Sequence, residues 1–304
     1  MKLLAVTVIG LVYIFATASV QAQEYKPGLP GMAPAKWITL KHTQAPDRIF
    51  RAGNSSKTKN YTQEDIYFKV WLPVYMGSRV TVIAGPQYRT EQLAFHGTGE
   101  NPLRALANWN LRSLGIDLKT IAVLDTSSWI VTNLHANQCS NLNAIGDNRV
   151  PYNFTVCALY LKRKSLRKEV GAGVVGNRLF NSYTFMPVLL MNYNFSKRSG
   201  VEISLPQKVA WRNNITSTDI LYFKAEAMSR SYYIRYSDSD SSPIRRTEID
   251  FGVTYNKQFS KMMGAEVFGG YRQNLSCTLP SDIYAIKNSG AVFTLEVYVR
   301  PPHI

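Results

Sequence analysis

The chain has 304 residues, of which 45% are hydrophobic, 12% aromatic and only 18% charged, and its formal net charge is +15. This composition belongs to a folded protein and excludes a disordered chain. The positive charges are scattered along the chain without a nucleic-acid-binding motif, so we predict contact with anionic membrane head groups or surface phosphates and no binding of nucleic acid.

The cysteines and histidines do not form a recognisable cofactor site. Three cysteines are an odd number for an exported chain, so they do not make a disulfide framework, and neither residue type has the short spacing of metal ligands. We therefore predict no metal and no cofactor. The residues are Cys139, Cys157 and Cys277, and His42, His96, His135 and His303.

Residues 1–22 have the pattern of a secretory signal peptide. Lys2 provides a positive start, residues 3–15 form an apolar core, and Ala22 ends a small-x-small cleavage site. We predict cleavage before Gln23 rather than retention as a membrane anchor. The sequence after this segment has no run approaching the roughly 18 apolar residues of a membrane helix, so a later membrane span must be built from strands.

Residues 23–60 are predicted to be an N-terminal arm outside the folded core. The segment is basic and weakly apolar, and prolines and glycines interrupt it repeatedly. A plain linker, a plug inside the following domain and a partner-binding arm all agree with this composition. Residues 61–304 are predicted to form one all-β domain.

Strands are predicted from Asp65 onward. Apolar and polar side chains alternate from Ile66 to Val74, and a Gly77-Ser78 turn leads into a strand over residues 79–89. A long polar stretch follows. Residues 103–124 are ambiguous, because leucines at positions 103, 106, 111 and 114 suit one face of a short helix, while residues 115–124 suit a strand.

Counting the alternating segments gives about twelve strands, within a range of ten to fourteen. Short turns near residues 77, 125, 165 and 198 alternate with longer polar loops, as they do in bacterial membrane barrels. This alternation of short and long connections fails in the second half of the chain. A bend at Pro206-Gln207 that divides one apparent strand into two would restore it.

The most regular pattern is a hairpin over residues 246–276. Polar and apolar side chains alternate strictly along its first strand, and a turn at Ser260-Lys261 leads into the second. The length, aromatic content and repetition of such strands predict an antiparallel transmembrane β-barrel with short turns and longer polar loops. Ile249, Phe251, Val253 and Tyr255 are then expected to face lipid, and Glu248 and Asp250 to face the lumen.

Charged side chains within the predicted strands are expected to point inward, because a charge in lipid is costly. Opposite charges there are expected to pair, and the lining is either that of a charged pore or a packed polar interior. The candidate lumen-facing charges are Lys69, Glu202, Lys224, Glu226, Glu248, Asp250, Glu266, Arg272 and Glu296.

Two other functions are kept as alternatives. One is a secreted, soluble all-β binding protein. The other is a lipid-modifying barrel enzyme with a Ser/His pair, for which His135 and the serines Ser127 and Ser128 are the candidates. Their spacing does not single them out, so we assign no catalytic residue and predict that the protein is not an enzyme.

The chain resembles a family of uncharacterised outer-membrane β-barrel proteins of Bacteroidota and similar bacteria over roughly residues 60–302. The segments that carry the resemblance are MPVLLMNYNFSKRSGVEISLP (186–206), TDILYFKAEAMSRSYYIRY (218–236), RRTEIDFGVTYNKQFSKMMGAEVFGGYR (245–272) and GAVFTLEVYVRPP (290–302). The resemblance implies the barrel fold and a location in the outer membrane of a Gram-negative bacterium, and it assigns no catalytic residues. We expect the protein to act structurally or as a passive or selective channel. Its expected partners are outer-membrane lipid or lipopolysaccharide and the barrel assembly machinery.

Overall fold

The computed structural model describes residues 27–52, 58–97, 104–141, 146–179, 182–235, 241–278, 283–287 and 289–301, so the predicted signal peptide lies outside the described residues. Within these ranges there is one 3-10 helix, Arg104–Leu106, and no helix is long and apolar enough to cross a membrane. The strands are β1 Ile38–Ala52, β2 Thr58–Val70, β3 Leu72–Met76, β4 Val80–His96, β5 Leu111–Asp125, β6 Ser128–Asn141, β7 Tyr152–Ser165, β8 Lys168–Leu179, β9 Ser182–Asn194, β10 Ser199–Leu205, β11 Lys208–Asn214, β12 Asp219–Arg235, β13 Ser241–Gln258, β14 Met263–Thr278, β15 Ile283–Lys287 and β16 Gly290–Val299.

These strands form a closed antiparallel barrel, as predicted. Wall strands that follow one another in the chain are paired, and β1 pairs with both β2 and β16, which closes the wall. Two positions in the wall hold two consecutive strands: β2 and β3 lie along one edge of β4, and β15 and β16 lie along one edge of β1. The barrel therefore has 14 strands, at the upper limit of the predicted range rather than at twelve.

The predicted bend at Pro206-Gln207 is confirmed. It joins β10 and β11, which have seven residues each and pair with one another along their whole length. Together they are as long as one ordinary wall strand, which is why the sequence pattern resembles a single strand. The turn at Ser260-Lys261 is also confirmed, since β13 ends at Gln258 and β14 begins at Met263.

The predicted boundary between arm and barrel is wrong, because residues 38–52 form the wall strand β1 and β2 begins at Thr58. A register shift between Ala45 and Arg48 accommodates Pro46 and Asp47, and Asp47 has a φ of 58°. Proline lacks a ladder donor and a positive φ is typical of turns, so this irregular strand has the composition of a loop. Among the described residues, only 27–37 precede the barrel.

The helical alternative for residues 103–124 is also wrong beyond the short 3-10 turn. Residues 111–125 form β5, in which Leu111 is 1% exposed and Leu114 is 59% exposed. Residues three apart lie on opposite faces of a strand, whereas they share one face of a helix. The leucine spacing therefore reflects one inward and one outward residue.

The outer surface of the barrel is apolar and the inner surface is polar. On β13, Phe251 is 47% exposed, while the flanking Asp250 is 5% exposed. Phe293, Leu295 and Val297 repeat the outward pattern on β16. An exposed apolar belt around a closed wall is the exterior of a transmembrane barrel.

We expect Phe251→Arg to destabilise the folded barrel by about 2–4 kcal/mol, because a cation near the bilayer midplane is poorly solvated. The matched control is Phe259→Arg, the same change at the turn after the same strand, where the cost falls to about 0–1 kcal/mol. Urea unfolding in lipid vesicles measures both. Equal losses of stability at the two positions would contradict this depth assignment.

The two ends of the barrel differ. The turn end carries the start of β1, the end of β16 and the short connections at 77–79, 126–127, 166–167, 195–198, 215–218 and 259–262. The opposite, loop end is filled by a hydrophobic cluster that the 3-10 helix joins through Leu106. This cluster consists of Tyr61, Leu93, Leu106, Leu111, Cys139, Tyr232, Ile234 and Ile244, with Phe95 packed against it.

Candidate functional site

The short β10–β11 hairpin leaves part of the wall unpaired. The last pair between β9 and β10 is Leu189 with Leu205, and the last pair between β11 and β12 is Glu226 with Lys208. Toward the loop end, residues 182–188 of β9 pair only with β8. The Ala227 amide still donates to the Gln207 carbonyl at 2.7 Å, and residues 228–235 of β12 pair along their length only with β13. We call the space between residues 182–188 and 228–231, above the Pro206-Gln207 turn, the side window.

The exposure of side chains on β9 supports an opening in the barrel wall at the side window. Residues 183–187 of β9 are all exposed, so both faces of the strand are accessible there. Phe185 is 74% exposed on one face and Met186 is 40% exposed on the other. Pro187 has no N–H to leave unpaired, which suits a strand edge without a partner. An ordinary wall strand would bury its inward face.

The loop-end part of β12 is held instead by β6, across the barrel. Tyr233 lies opposite Ser140 in a parallel pairing, and the Ser140 hydroxyl donates to the Tyr233 carbonyl. Asn141 Nδ2 donates to the Arg235 carbonyl at 2.8 Å and Asn141 Oδ1 accepts from the Arg235 amide at 3.3 Å. This contact joins the loop-end part of β12 to β6 on the loop-end side of the window.

Behind the side window lies an interior chamber of about 390 Å³. One of its walls is β12, including Ala227 and Ser229, and the Gln207 turn also borders it, so the chamber extends to the unpaired edge. Glu226 is the one carboxylate among its described lining residues. The lining amides are Gln87, Asn137, Asn153, Asn177 and Gln207, the hydroxyls Tyr67, Ser113, Thr155, Ser229, Ser231 and Tyr232, and the cations Lys41, Arg89 and Arg230.

A second, narrow cavity of about 20 Å³ adjoins the chamber. Lys41, Glu226 and Met228 line both spaces, so these three residues form the constriction between them. Glu266 and Glu296 line the narrow cavity further on. Both carboxylates bind Lys36, so the two cavities lead from the side window toward the N-terminal segment.

The N-terminal segment, residues 27–37, lies in the turn end of the barrel and is fixed by inward-facing side chains. The Gly28 amide donates to Glu169 Oε2 at 2.8 Å, and the Ala33 amide donates to the Tyr222 hydroxyl at 3.1 Å. Backbone carbonyls of the segment accept from other side chains: Gly28 from Arg163 at 2.8 Å, Pro30 from Asn194 at 2.9 Å and Gly31 from Asn214 at 3.1 Å. Hydrogen bonds to five wall strands hold the segment as a plug.

Lys36 provides the charged contact of this plug. Its Nζ lies 2.9 Å from Glu266 Oε1 and 2.5 Å from Glu296 Oε1. Burial by itself lowers the pKa of Lys36, but the carboxylates of Glu266 and Glu296 outweigh burial and raise the pKa above its ordinary value. The ammonium therefore stays charged, and its two partners keep it in the lumen.

The rest of the interior is filled by a buried ionic network. Glu91, which is fully buried, contacts Arg230, Arg246 and the Tyr232 hydroxyl. Arg230 also binds Asp65 at 2.6 Å. A second group is centred on Arg272, whose Nε and Nη2 donate to the two oxygens of Asp250 at 2.7 and 2.8 Å. The lumen is therefore packed beside the chamber and is not one wide pore.

The nine charges predicted to face the lumen all lie in ion pairs in the interior, and their assignment as a functional lining stays a prediction. They do not form one site, because they divide among separate pairs. Lys69 binds Asp117; Glu202 binds Lys208 and Arg212; Lys224 binds Glu226; Glu248 and Asp250 bind Arg272; Glu266 and Glu296 bind Lys36.

Several interior charges lie outside the predicted set. Glu91 lies beyond residue 89, where the predicted strand ended, although β4 continues to His96. Lys36 and Lys41 lie in the stretch that was predicted to be an arm. The alternation of Arg89, Glu91 and Leu93 on one face was a usable signal for the longer strand.

The candidate Ser/His pair is not brought together. Ser128 and His135 lie seven positions apart on β6, and about 3.3 Å of rise per residue separates them by roughly 23 Å. His135 Nδ1 lies 3.1 Å from Asp117 Oδ1 and 3.1 Å from Gln87 Nε2, so the ring belongs to the polar lining. The described residues contain no group of His, Cys, Asp and Glu side chains arranged to hold a metal.

Comparison with solved structures gives distant similarities. The COG4313 outer membrane channel from Pseudomonas putida F1 is 13% identical, with a TM-score of 0.48 over 91% of this chain and 100% of that chain. The Pseudomonas putida toluene transporter TodX is 9% identical, with a TM-score of 0.40 over 94% of this chain and 96% of that chain. We draw no functional conclusion from similarities at this level. A search of curated protein sequences finds no match.

A sequence family does match. Its conserved profile aligns with residues 103–281, which include most of the barrel wall and the short hairpin, and the family is described as a domain of unknown function. The matched region is more than half of the chain, and the chain therefore belongs to the DUF6268 family.

Proposed function

We propose that this protein is an outer-membrane channel in which solutes pass from the side window, through the chamber and the constriction, toward the turn end. The observation that carries the proposal is that these spaces adjoin one another. The chamber reaches the unpaired edge of β12, and it shares Lys41, Glu226 and Met228 with the narrow cavity beyond. A purely structural barrel has no need of a polar chamber beside an interrupted wall.

In this proposal the protein is exported with cleavage of residues 1–22 and resides in the outer membrane of a Gram-negative bacterium, with Bacteroidota as the proposed lineage. The barrel assembly machinery and outer-membrane lipid or lipopolysaccharide are its proposed partners. The turn end faces the periplasm, because barrels of that membrane have short periplasmic turns. The apolar belt disfavours the alternative of a secreted soluble protein, since that belt would be exposed to water.

Planar-bilayer recording of the purified mature chain tests the channel. We expect small, brief conductance steps, because the constriction is narrow and the N-terminal segment fills the turn end. A silent bilayer, with the protein shown to be folded by its heat-modifiable mobility on a gel, would contradict the proposal and favour a filled structural barrel.

The route through the side window has its own test. Ser229 is exposed on β12, lines the chamber and lies at the window. We expect Ser229→Trp to lower the conductance by about twofold or more, because a large ring narrows the access to a polar path. Ser165→Trp at the exposed end of β7 is the matched control. Unchanged conductance in Ser229→Trp would show that ions bypass the window.

A further inference from the structure

We propose that the chamber binds small anionic groups, carboxylates or phosphates, at Lys41. The inference deepens the proposed channel function by naming a class of solute. The binding step itself depends only on the chamber, so it can be tested whether or not the protein conducts.

Lys41 lies on the inward face of β1, opposite Glu296 on one neighbouring strand and Tyr67 on the other. Its side chain lines both the chamber and the narrow cavity. Within the described part of the chain it has no hydrogen bond or ion pair, unlike the inward lysines at positions 36, 69, 208 and 224. Lys119 on β5 also lacks an ion pair there, but it lines neither cavity. The ammonium of Lys41 is therefore presented at the constriction without a direct partner.

The carboxylates around Lys41 are already bound to other cations. Glu226 binds Lys224 at 2.9 Å, and Glu296 binds Lys36 at 2.5 Å. Asp65, held by Arg230 at 2.6 Å and by Arg89 at 3.5 Å, is neutralised as well. A cation inside a protein is costly to leave without a direct partner, so an incoming anion would gain the hydrogen bond that no carboxylate of the described wall supplies.

The rest of the chamber suits an anion better than a cation. Three basic side chains border it, against the single carboxylate of Glu226. Amide and hydroxyl groups, including Thr155 and Asn177, offer donors to the remaining oxygens of a carboxylate or phosphate. A bound cation would instead meet Lys41 and Arg89 without a free carboxylate.

Isothermal titration of the folded, full mature chain in a neutral detergent tests the proposal, with sodium phosphate, sodium acetate and a short-chain anionic phospholipid as separate probes. We expect saturable binding of at least one probe by the wild type. Lys41→Gln is expected to weaken that binding about tenfold, because a charge-assisted hydrogen bond is lost. Lys41→Arg should retain it. Binding of the phospholipid without the free ions would identify a lipid head group as the source.

Lys164→Gln removes the same charge at the exposed end of β7 and is expected to leave binding unchanged. Equal affinity in Lys41→Gln and the wild type would overturn the site, as would the absence of binding for all three probes. The reversal potential in a potassium chloride gradient separates this result from the channel proposal. Conductance with cation selectivity contradicts the anion site alone, whereas anion binding without conductance contradicts the channel alone.

Discussion

Replacing Glu91 with alanine is expected to lower the free energy of unfolding by about 3–5 kcal/mol, because breaking a buried ion pair leaves the partner charge uncompensated. Glu91 is fully buried and joins two arginines, Arg230 and Arg246, to the Tyr232 hydroxyl. Arg230 keeps Asp65 as a partner, but Arg246 loses the carboxylate nearest to it. The network links β4 to β12 and β13 across the barrel, so its loss also frees the wall beside the chamber.

Urea titration in detergent micelles, followed by tryptophan fluorescence, measures this loss. Glu64→Ala is the matched control, since Glu64 lies on neighbouring β2 and, among the residues that the structure describes, its side chain bonds only to those of Gln44 and Gln92. Its removal is expected to change stability by no more than about 0.5 kcal/mol. If the two variants unfolded at the same urea concentration, the network would not be a main source of stability.

Deleting residues 27–36 is expected to raise the single-channel conductance several-fold. This stretch fills the turn end through hydrogen bonds with Glu169, Tyr222 and Asn194, and through the ion pairs of Lys36. Trp37 is retained because its backbone bonds to Val299 and Trp71 in the wall. The barrel is closed by strand pairing that starts at Ile38, so the wall should survive the deletion.

Lys36→Gln tests the charged contact of the same plug. It removes the ammonium between Glu266 and Glu296 and leaves the backbone contacts in place, so we expect an intermediate conductance with more frequent openings. Lys197→Gln, an equal charge change at an exposed turn, should behave as the wild type. A deletion variant that conducts no better than the full chain would mean that the constriction at Lys41, and not the N-terminal segment, limits the flow.

The alternation of side chains was enough to predict the barrel, its apolar exterior and its inward charges. Along β13, successive side chains face lipid and lumen in turn. The alternation around Phe251 therefore identifies the two faces of the strand without knowledge of the strands that pair with it. The fold class follows from this alternation alone. The exact strand count depends on how the strands pair, which the alternation does not show.

The site depends on features that alternation does not encode. Strand β1 contains Pro46 and a positive φ at Asp47, and its pairing with β16 joins the two ends of the chain, so local composition alone indicated an arm. The side window arises because two seven-residue strands stand beside much longer ones, and strand length relative to a neighbour becomes visible only after pairing. The free charge of Lys41 follows from which carboxylates are already paired, which is likewise a property of the folded interior.

The most direct measurement compares two inward-facing asparagines in whole cells, after the native cysteines are replaced by serine. Asn177 lines the chamber behind the side window, whereas Asn192 donates to Glu169 beneath the N-terminal segment. We expect a membrane-impermeant thiol reagent added outside the cells to modify Asn177→Cys and to spare Asn192→Cys. If both variants were protected in the folded protein, or if Asn192→Cys reacted as fast as Asn177→Cys, the proposed window and the closure of the turn end would be contradicted.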